Sequence, residues 1–355
     1  MSGYITTGPR AGSSGTSSYS ALLARIKAEG LLRRRTGWYW GLIGVLTGLL
    51  VLAGTAFAVL GDAWWQLIVA AVLGLVFTQF AFLAHEAAHR QVFASHHWND
   101  RAARYVGTFL TGVSYAWWTN KHTRHHANPN TVGKDPDISF DAISFRPEDA
   151  ASRTGFLRVL VRVQGYAFFP MLLVEGANLH WQSIRTYTSG KGVKRRWAEA
   201  SVFFGRFVLY LGAVFWFLPL GMAFAFVGVQ LAVFGFCMGI AFAPNHKGMP
   251  IIEPGQRVDF FSRQVLTSRD ITGGVWVEYF MGGLNHQVEH HLFPNMARPN
   301  LRAARVIVRE YCATQGVPFT ETTMVRSYAI VVRYLNEVGL AAADPFACPM
   351  VERYR

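Results

Sequence analysis

Charge is what this sequence has least of. Lys, Arg, Asp and Glu supply 15% of its 355 residues and hydrophobic side chains 51%, whereas a soluble globular protein carries about 25% charged residues. The deficit is concentrated in two places. Gly37 to Leu83 holds no Lys or Arg and one acid, Asp62, and Phe207 to Asn245 holds no charged residue at all. That argues against an ordinary soluble enzyme and for an integral membrane protein. Cysteine is scarce too. Cys237, Cys312 and Cys348 are too few for a four-cysteine iron–sulfur site within the chain and suggest no disulfide framework. No Gly-x-Gly-x-x-Gly nucleotide loop, internal repeat or second domain is visible. Residues 1–20, rich in Ser, Gly and Thr, lack the apolar core of a signal peptide and read as a disordered tail.

A spanning helix needs roughly 20 apolar residues, so each run predicts two helices, turned at Gly61-Asp62 and near Pro219-Leu220-Gly221. The expected spans lie near 37–60, 63–84, 201–218 and 220–243. Four crossings return the chain to its starting side, so the N-terminus, the 85–200 segment and everything after Asn245 share one face. All 34 Lys and Arg lie outside the two runs, and the positive-inside rule makes that face cytoplasmic. The net charge of +13 then reflects topology, with attraction to a CoA or lipid phosphate as a second reading and no role for nucleic acid.

Three segments are expected: 1–36, disordered and basic; 37–305, the membrane domain; and 306–355, a helical tail within a cytosolic cap. The 102–118 segment suits a helix lying in the interface, as does 156–176, which carries Arg158, Arg162 and Glu175 in an apolar background. Asn128-Pro129-Asn130 and Lys134-Asp135-Pro136-Asp137 signal loops, and Pro294 and Pro299 close off the last motif. The fold class is thus an all-α integral membrane protein: four transmembrane helices, interfacial helices and a cytosolic helical cap.

Histidine is what the chain does have. Of its twelve, eight form three clusters: His85-Glu86-Ala87-Ala88-His89, His122-Thr123-Arg124-His125-His126 and His286-Gln287-Val288-Glu289-His290-His291. Spacings of three and four put ring nitrogens on one helix face, and imidazole is a ligand for iron, zinc or copper. Three such clusters imply a polyhistidine centre with more than one metal. His246 follows Asn245 at the end of the fourth span as His85 does at the end of the second, so it is a further candidate ligand, and His180 a weaker one. His96 and His97 lie about 10 Å along a helix from His89, which suits surface roles. Glu86, Asp135, Asp137, Asn245, Gln287 and Glu289 are placed to orient imidazoles through their second nitrogen. His85 to His89 is also literally His-Glu-x-x-His, the zinc-protease motif with Glu86 as general base, but that reading leaves six clustered histidines without a purpose.

Together with their flanking residues the clusters resemble the membrane-bound fatty acid desaturases. His85 to His89 matches the family's HxxxH box, and His122, His125 and His126 within Trp117-Trp118-Thr119-Asn120-Lys121 to Asn130 match HxxHH. Gly282-Gly283-Leu284-Asn285-His286-Gln287 to Pro294 resembles the Gln-x-x-His-His box of the linoleoyl-CoA or front-end subgroup. The match runs from about residue 37 to 305. It implies two non-haem irons and O₂ as co-substrate, held by His85, His89, His122, His125, His126, His290 and His291, with His246 as the extra ligand supplied after the fourth span. Gln287 stands where the acyl-CoA Δ9 enzymes have a ligand, and a His stands one residue earlier, so either His286 or Gln287 could reach metal. Many front-end relatives carry a fused haem domain with a His-Pro-Gly-Gly word, which this sequence does not contain.

The implied reaction is removal of two hydrogens from a fatty acyl chain, carried as acyl-CoA or acyl-lipid, with the apolar chain in a dry tunnel between spans and its head group in water. The metal supplies that chemistry while the protein supplies geometry. No cofactor word for carrying electrons is present, so a separate ferredoxin, small haem cytochrome or flavin reductase is expected as donor. The rivals are a hydroxylase or ketolase of the same iron superfamily, acting on a lipid, carotenoid or alkane, the zinc protease, and a metal transporter. Transport places polar ligands near the bilayer midplane, unlike these clusters. Arg outnumbers Lys 28 to 6, which suggests a GC-rich bacterial source and hence the plasma membrane.

Overall fold

Two hairpins of long apolar helices carry the molecule, and both hairpin turns lie at the end away from the histidines. The computed structural model describes residues 18–139, 142–189 and 193–341. Most of the expected 1–20 tail, Cys348 and the end of the 306–355 segment lie outside the described residues. After a short amphipathic α1 (Ser18–Ala28), α2 (Thr36–Leu60) and α3 (Gln66–Ala88) form the first hairpin. Gly61 makes its turn with φ 59°, and the Gln66 amide donates to the carbonyls of Phe57 and Gly61, both at 2.9 Å.

The next segment was expected as one interfacial helix over 102–118. Instead α4 (His96–Tyr105) widens into a loose helical turn, breaks at Gly112 (φ 73°) and restarts as α5 (Tyr115–Ala127). The restart has a physical cause: the Ser114 hydroxyl accepts from Trp117 N and caps the new helix. Buried Glu199 then receives the Ser114 hydroxyl (2.8 Å), Ala116 N (3.0 Å), the Tyr187 hydroxyl (2.9 Å) and Arg104 (2.7 Å). This knot fixes the start of the helix that bears the second histidine box.

Short helices α6 (Pro147–Ala151), α7 (Gly155–Arg162) and α8 (Gln164–Leu172) lead to α9 (Glu175–Ser189), so the expected 156–176 segment is divided rather than continuous. The second hairpin follows: α10 (Arg196–Phe217) and α11 (Leu220–His246), turned at Leu218–Pro219. The α8–α9 turn does not lie flat across the bundle end. A Cβ on Gly176 would sit 2.4 Å from the Leu231 carbonyl, and one on Gly235 2.2 Å from Gly176 N. The turn therefore meets α11 eleven residues before His246, about 16 Å along the helix. Small residues at such a contact let helix backbones touch.

These four helices, α2, α3, α10 and α11, are long and apolar enough to cross a membrane. α10 begins five residues before the expected 201, and α3 and α11 run past their expected ends to include His85 and His246. Helical hydrogen bonding outlasts the apolar run because the cap, rather than lipid, surrounds those last turns. α10 also carries Arg206, 4% exposed, whose guanidinium lies over the rings of Phe207 (4.7 Å) and Tyr210 (4.9 Å).

The cap comprises α12 (Phe260–Leu266), β1 (Asp270–Thr272), α13 (Val275–Phe280), α14 (Gln287–Leu292), α15 (Arg298–Gln315), β2 (Glu321–Thr323) and α16 (Met324–Ala341). It is helical as expected except for the parallel pairing of β1 with β2. A core of Leu22 and Ile26 from α1, Phe261 and Val265 from α12, and Val288, Leu292 and Val308 beyond binds its parts together. Two side chains secure the histidine-bearing end of α11. Pro244 lacks an N–H, which leaves the Ile240 carbonyl without its helical donor, and the Tyr328 hydroxyl donates to it at 3.0 Å. Buried Arg269 donates to the terminal carbonyls of Pro244 (2.9 and 2.6 Å) and Lys247 (2.6 Å), as cations do at helix C-termini.

Candidate metal centre

Four elements deliver imidazoles to one place. α3 brings His85 at its end and His89 just after it, α5 brings His122, His125 and His126, α11 ends on His246, and α14 brings His290 and His291. The ring nitrogens sort into two groups: His85, His89, His122, His126 and His290 in one, and His125, His246 and His291 in the other. The groups abut, with the rings of His126 and His291 stacked at 4.3 Å.

The second group has a defined protonation pattern. His125 Nδ1 donates to the Asp135 carboxylate (3.1 Å), His246 Nδ1 to the Thr267 carbonyl (2.9 Å) and His291 Nδ1 to Gln264 Oε1 (2.9 Å). The Gln264 amide is oriented by donating its own N–H to the His126 carbonyl (3.0 Å). A neutral imidazole has one N–H, so in the neutral form all three rings turn an Nε2 lone pair inward, that of His246 also facing the Gln287 amide nitrogen at 2.8 Å. Yet His125 Nε2 and His246 Nε2 are 3.3 Å apart, and His291 Nε2 is buried with no partner. Lone pairs facing one another repel, and a cation between them removes the conflict.

The first group shows the same convergence. His122 Nε2 lies 2.8 Å from His89 Nε2 and 3.1 Å from His85 Nε2, and His290 Nε2 lies 3.1 Å from His126 Nε2. A metal–imidazole bond of about 2.1 Å sets neighbouring ligand atoms roughly 3.0–3.4 Å apart, so the donors already stand near ligand separations. Burial, with the neighbouring imidazoles, holds His122, His126, His290 and His291 well below the ordinary histidine range, in the neutral form that binds metal. Burial also lowers His125, but Asp137 and Asp135 outweigh it and leave its pKa raised. The donor set and its spacing thus fit two transition-metal ions, and are compatible with a non-haem di-iron site.

The family model for fatty acid desaturases matches residues 62–323. The chain belongs to the fatty acid desaturase family. It is 30% identical to a Delta(8)-fatty-acid desaturase of Helianthus annuus over 83% of this chain and 68% of that protein. It is 29% identical to an acyl-lipid (9-3)-desaturase of Physcomitrium patens, over 78% of this chain and 54% of that one. A Delta(6)-fatty-acid desaturase of Caenorhabditis elegans is 28% identical over 91% of this chain and 75% of its own length. An oxidoreductase that desaturates acyl chains is the activity these relatives share.

Other expected site residues of the desaturase fall elsewhere. Glu86 does not orient an imidazole. It forms a bidentate pair with Arg298 at 2.5 and 2.8 Å, with both residues buried. A carboxylate so committed is no general base, which corrects the zinc-protease reading. His286 is not brought to either imidazole group; its Nε2 donates to Glu278 at 3.0 Å. Gln287, one residue on, does reach the second group, with its amide nitrogen 2.8 Å from His246 Nε2 and its oxygen accepting from Asn245 at 3.1 Å. His180 donates to the Thr111 carbonyl at 3.1 Å and packs against Phe207, outside both groups. His96 and His97 are exposed.

Asp135 and Asp137 lie beside His125 Nδ1. Asp135 is itself held by Asn130 N (2.7 Å) and Asp137 N (2.9 Å), and Asp137 pairs with Lys121. Glu289 faces away from the imidazoles, toward Asp270 and His286. Burial, reinforced by Asp270, pushes its carboxyl well above the usual range. Sequence reasoning missed Gln264, Thr267 and Arg298, which belong to no recurring pattern. The Gly282-Gly283 word before the third box does carry a signal. Both residues have positive φ (60° and 80°), and a Cβ there would strike Phe82 at 2.3 Å or Arg298 at 2.6 Å.

Proposed function

We propose that the two imidazole groups hold two non-haem irons, and that the enzyme uses O₂ to place a double bond near the carboxyl end of a fatty acyl chain. The observation that carries this is the set of converging Nε2 atoms on eight imidazoles, three of which (His125, His246 and His291) have Nδ1 held by Asp135, Thr267 and Gln264. Bound iron would supply O₂ activation and hydrogen abstraction. O₂, two hydrogens from the chain, and two electrons with two protons from a donor balance to an alkene and two waters. His85, His89, His122, His126 and His290 would hold one ion, and His125, His246 and His291 the other. Asp135, Thr267 and Gln264 keep three of those rings in the metal-binding tautomer.

The protein's remaining task is to seat an apolar chain beside the site and keep water out. Trp118 stacks on His122 at 4.3 Å and lies 5.4 Å from His85, while Phe242 lies 6.3 Å from His85 and packs with Phe82 and Met238. These side chains line the bundle side of the centre, where an acyl chain between the spans would arrive. The names of the relatives, Delta(8) and Delta(6) among them, support a bond counted from the carboxyl end. Residues 37–305 would act with the cap as one catalytic unit. Electrons would come from a separate ferredoxin, small haem cytochrome or flavin reductase. The histidine-bearing end would face the cytosol, with plasma-membrane placement supported by the Arg-rich composition.

Fatty-acid methyl-ester mass spectrometry of a desaturase-deficient host expressing the chain tests the reading. A new monoene or polyene unsaturated between C5 and C9, absent from a His125→Ala/His126→Ala control, is expected. A hydroxylated product would instead place the protein with the hydroxylases.

A further inference from the structure

Beside the third histidine box, and apart from both imidazole groups, lies a buried set of ligand atoms with nothing to bond to. Asp270, His286 and Glu289 each offer one ligand atom within 4.8 Å of the others. Their exposures are 0%, 3% and 0%. Asp270 Oδ2, His286 Nδ1 and both Glu289 carboxylate oxygens have no hydrogen-bond partner. Leaving several buried polar atoms unsatisfied in one spot is costly, so the set calls for an occupant.

Its surroundings say which kind. His286 Nε2 donates to Glu278 at 3.0 Å, and Arg302 holds that carboxylate at 2.6 Å. The ring thus donates from Nε2, and its Nδ1 faces Asp270 Oδ2 at 3.8 Å. The other Asp270 oxygen accepts from Val288 N at 3.0 Å, which aims Oδ2 into the gap. A histidine whose far nitrogen donates to a carboxylate while its near nitrogen faces a gap lined by carboxylate oxygens is placed as metal ligands are. Arg305 stands 3.6 Å from Asp270 Oδ2, but it also pairs with Glu321. A single shared guanidinium faces two buried carboxylates.

We propose that Asp270, His286 and Glu289 form a third metal site, separate from the two imidazole groups, for a divalent first-row ion of the Zn²⁺ or Mn²⁺ kind. Two carboxylates and one imidazole suit such ions, which bind them at about 2.0–2.2 Å. Ligand atoms around an ion of that size stand roughly 3.4 Å apart, against 3.8 Å between His286 Nδ1 and Asp270 Oδ2. The ion joins β1 to α14, the helix carrying His290 and His291. Its task is to hold the third box in orientation rather than to take part in the reaction. The residue next to the third box's glutamine thus has its own ion.

The test is element analysis of the purified, iron-loaded full chain after dialysis against Zn²⁺ or Mn²⁺ and removal of loosely bound metal. One zinc or manganese per chain is expected in addition to iron. His286→Gln, close in shape, and Glu289→Gln should each abolish that ion, while iron binding is weakened but both histidine groups keep their full set of imidazoles. Added Zn²⁺ should also raise the Tm of the iron-loaded wild type and leave both variants unmoved. Wild-type protein that takes up no third ion overturns the proposal, as does an ion retained by both variants. So does a Glu289→Gln variant of unchanged metal content and equal or greater stability, the behaviour of a carboxyl pair that shares a proton.

Discussion

His291→Ala is expected to strip one iron from the chain and drop product formation to background. Adjacent residues on a helix point about 100° apart, so α14 sends His290 into the five-histidine group and His291 into the three-histidine group. Removing His291 leaves two imidazoles, His125 and His246, and the Gln287 amide, which turns its nitrogen toward them. That nitrogen offers no lone pair, so the remaining donors are too few to retain an ion. His290→Ala removes one of five and should lower iron content less. The partner of His291 can be tested separately. Gln264→Leu keeps the imidazole but frees its tautomer, and should weaken metal binding about 10- to 100-fold. Element analysis of each variant, beside fatty-acid analysis of the host, measures both effects.

Arg298→Met should cost about 3–5 kcal/mol of stability, the penalty for stranding one member of a buried ion pair. Glu86 is 3% exposed and has no other cation within ion-pair distance among the described residues. The damage should spread, because the pair belongs to a longer chain of contacts. Arg298 N donates to the Tyr39 hydroxyl (3.3 Å), Tyr39 to Gln91 (3.0 Å), and Gln91 to the Pro294 carbonyl (2.7 Å). Those links join α2, α3 and the end of the third box. Glu86 sits between His85 and His89, so iron content should fall with stability. Removing both charges, Glu86→Gln with Arg298→Met, should recover most of the loss. Thermal unfolding in detergent reads the result, and an unchanged Tm for the single variant would mean that the carboxylate finds water.

The histidines and the apolar helices were legible because each rests on local pattern. Membrane-length runs announce themselves by composition, and the boxes by helical spacing. What could not be read was how the boxes pair across the bundle. His125 leaves its neighbours His122 and His126 for the other group because Asp135, on the following loop, holds its ring. The choice between His286 and Gln287 turns on one residue of helix phase. α14 starts at Gln287, so Gln287, His290 and His291 share a face, while His286 precedes the helix at φ −100° and ψ 60° and points elsewhere. Glu86 and Arg298 are 212 residues apart, and nothing in the sequence near either announces the other. The breaks at Gly112 and Val163 were hidden for a related reason: apolar periodicity continues across them while the backbone does not.

The most direct test of the central claim is iron per chain in an active, purified preparation, read by element analysis together with Mössbauer spectroscopy. The account predicts two irons in a coupled pair, falling to one in His291→Ala. A single iron, or zinc at the histidines in protein that still forms product, would contradict it.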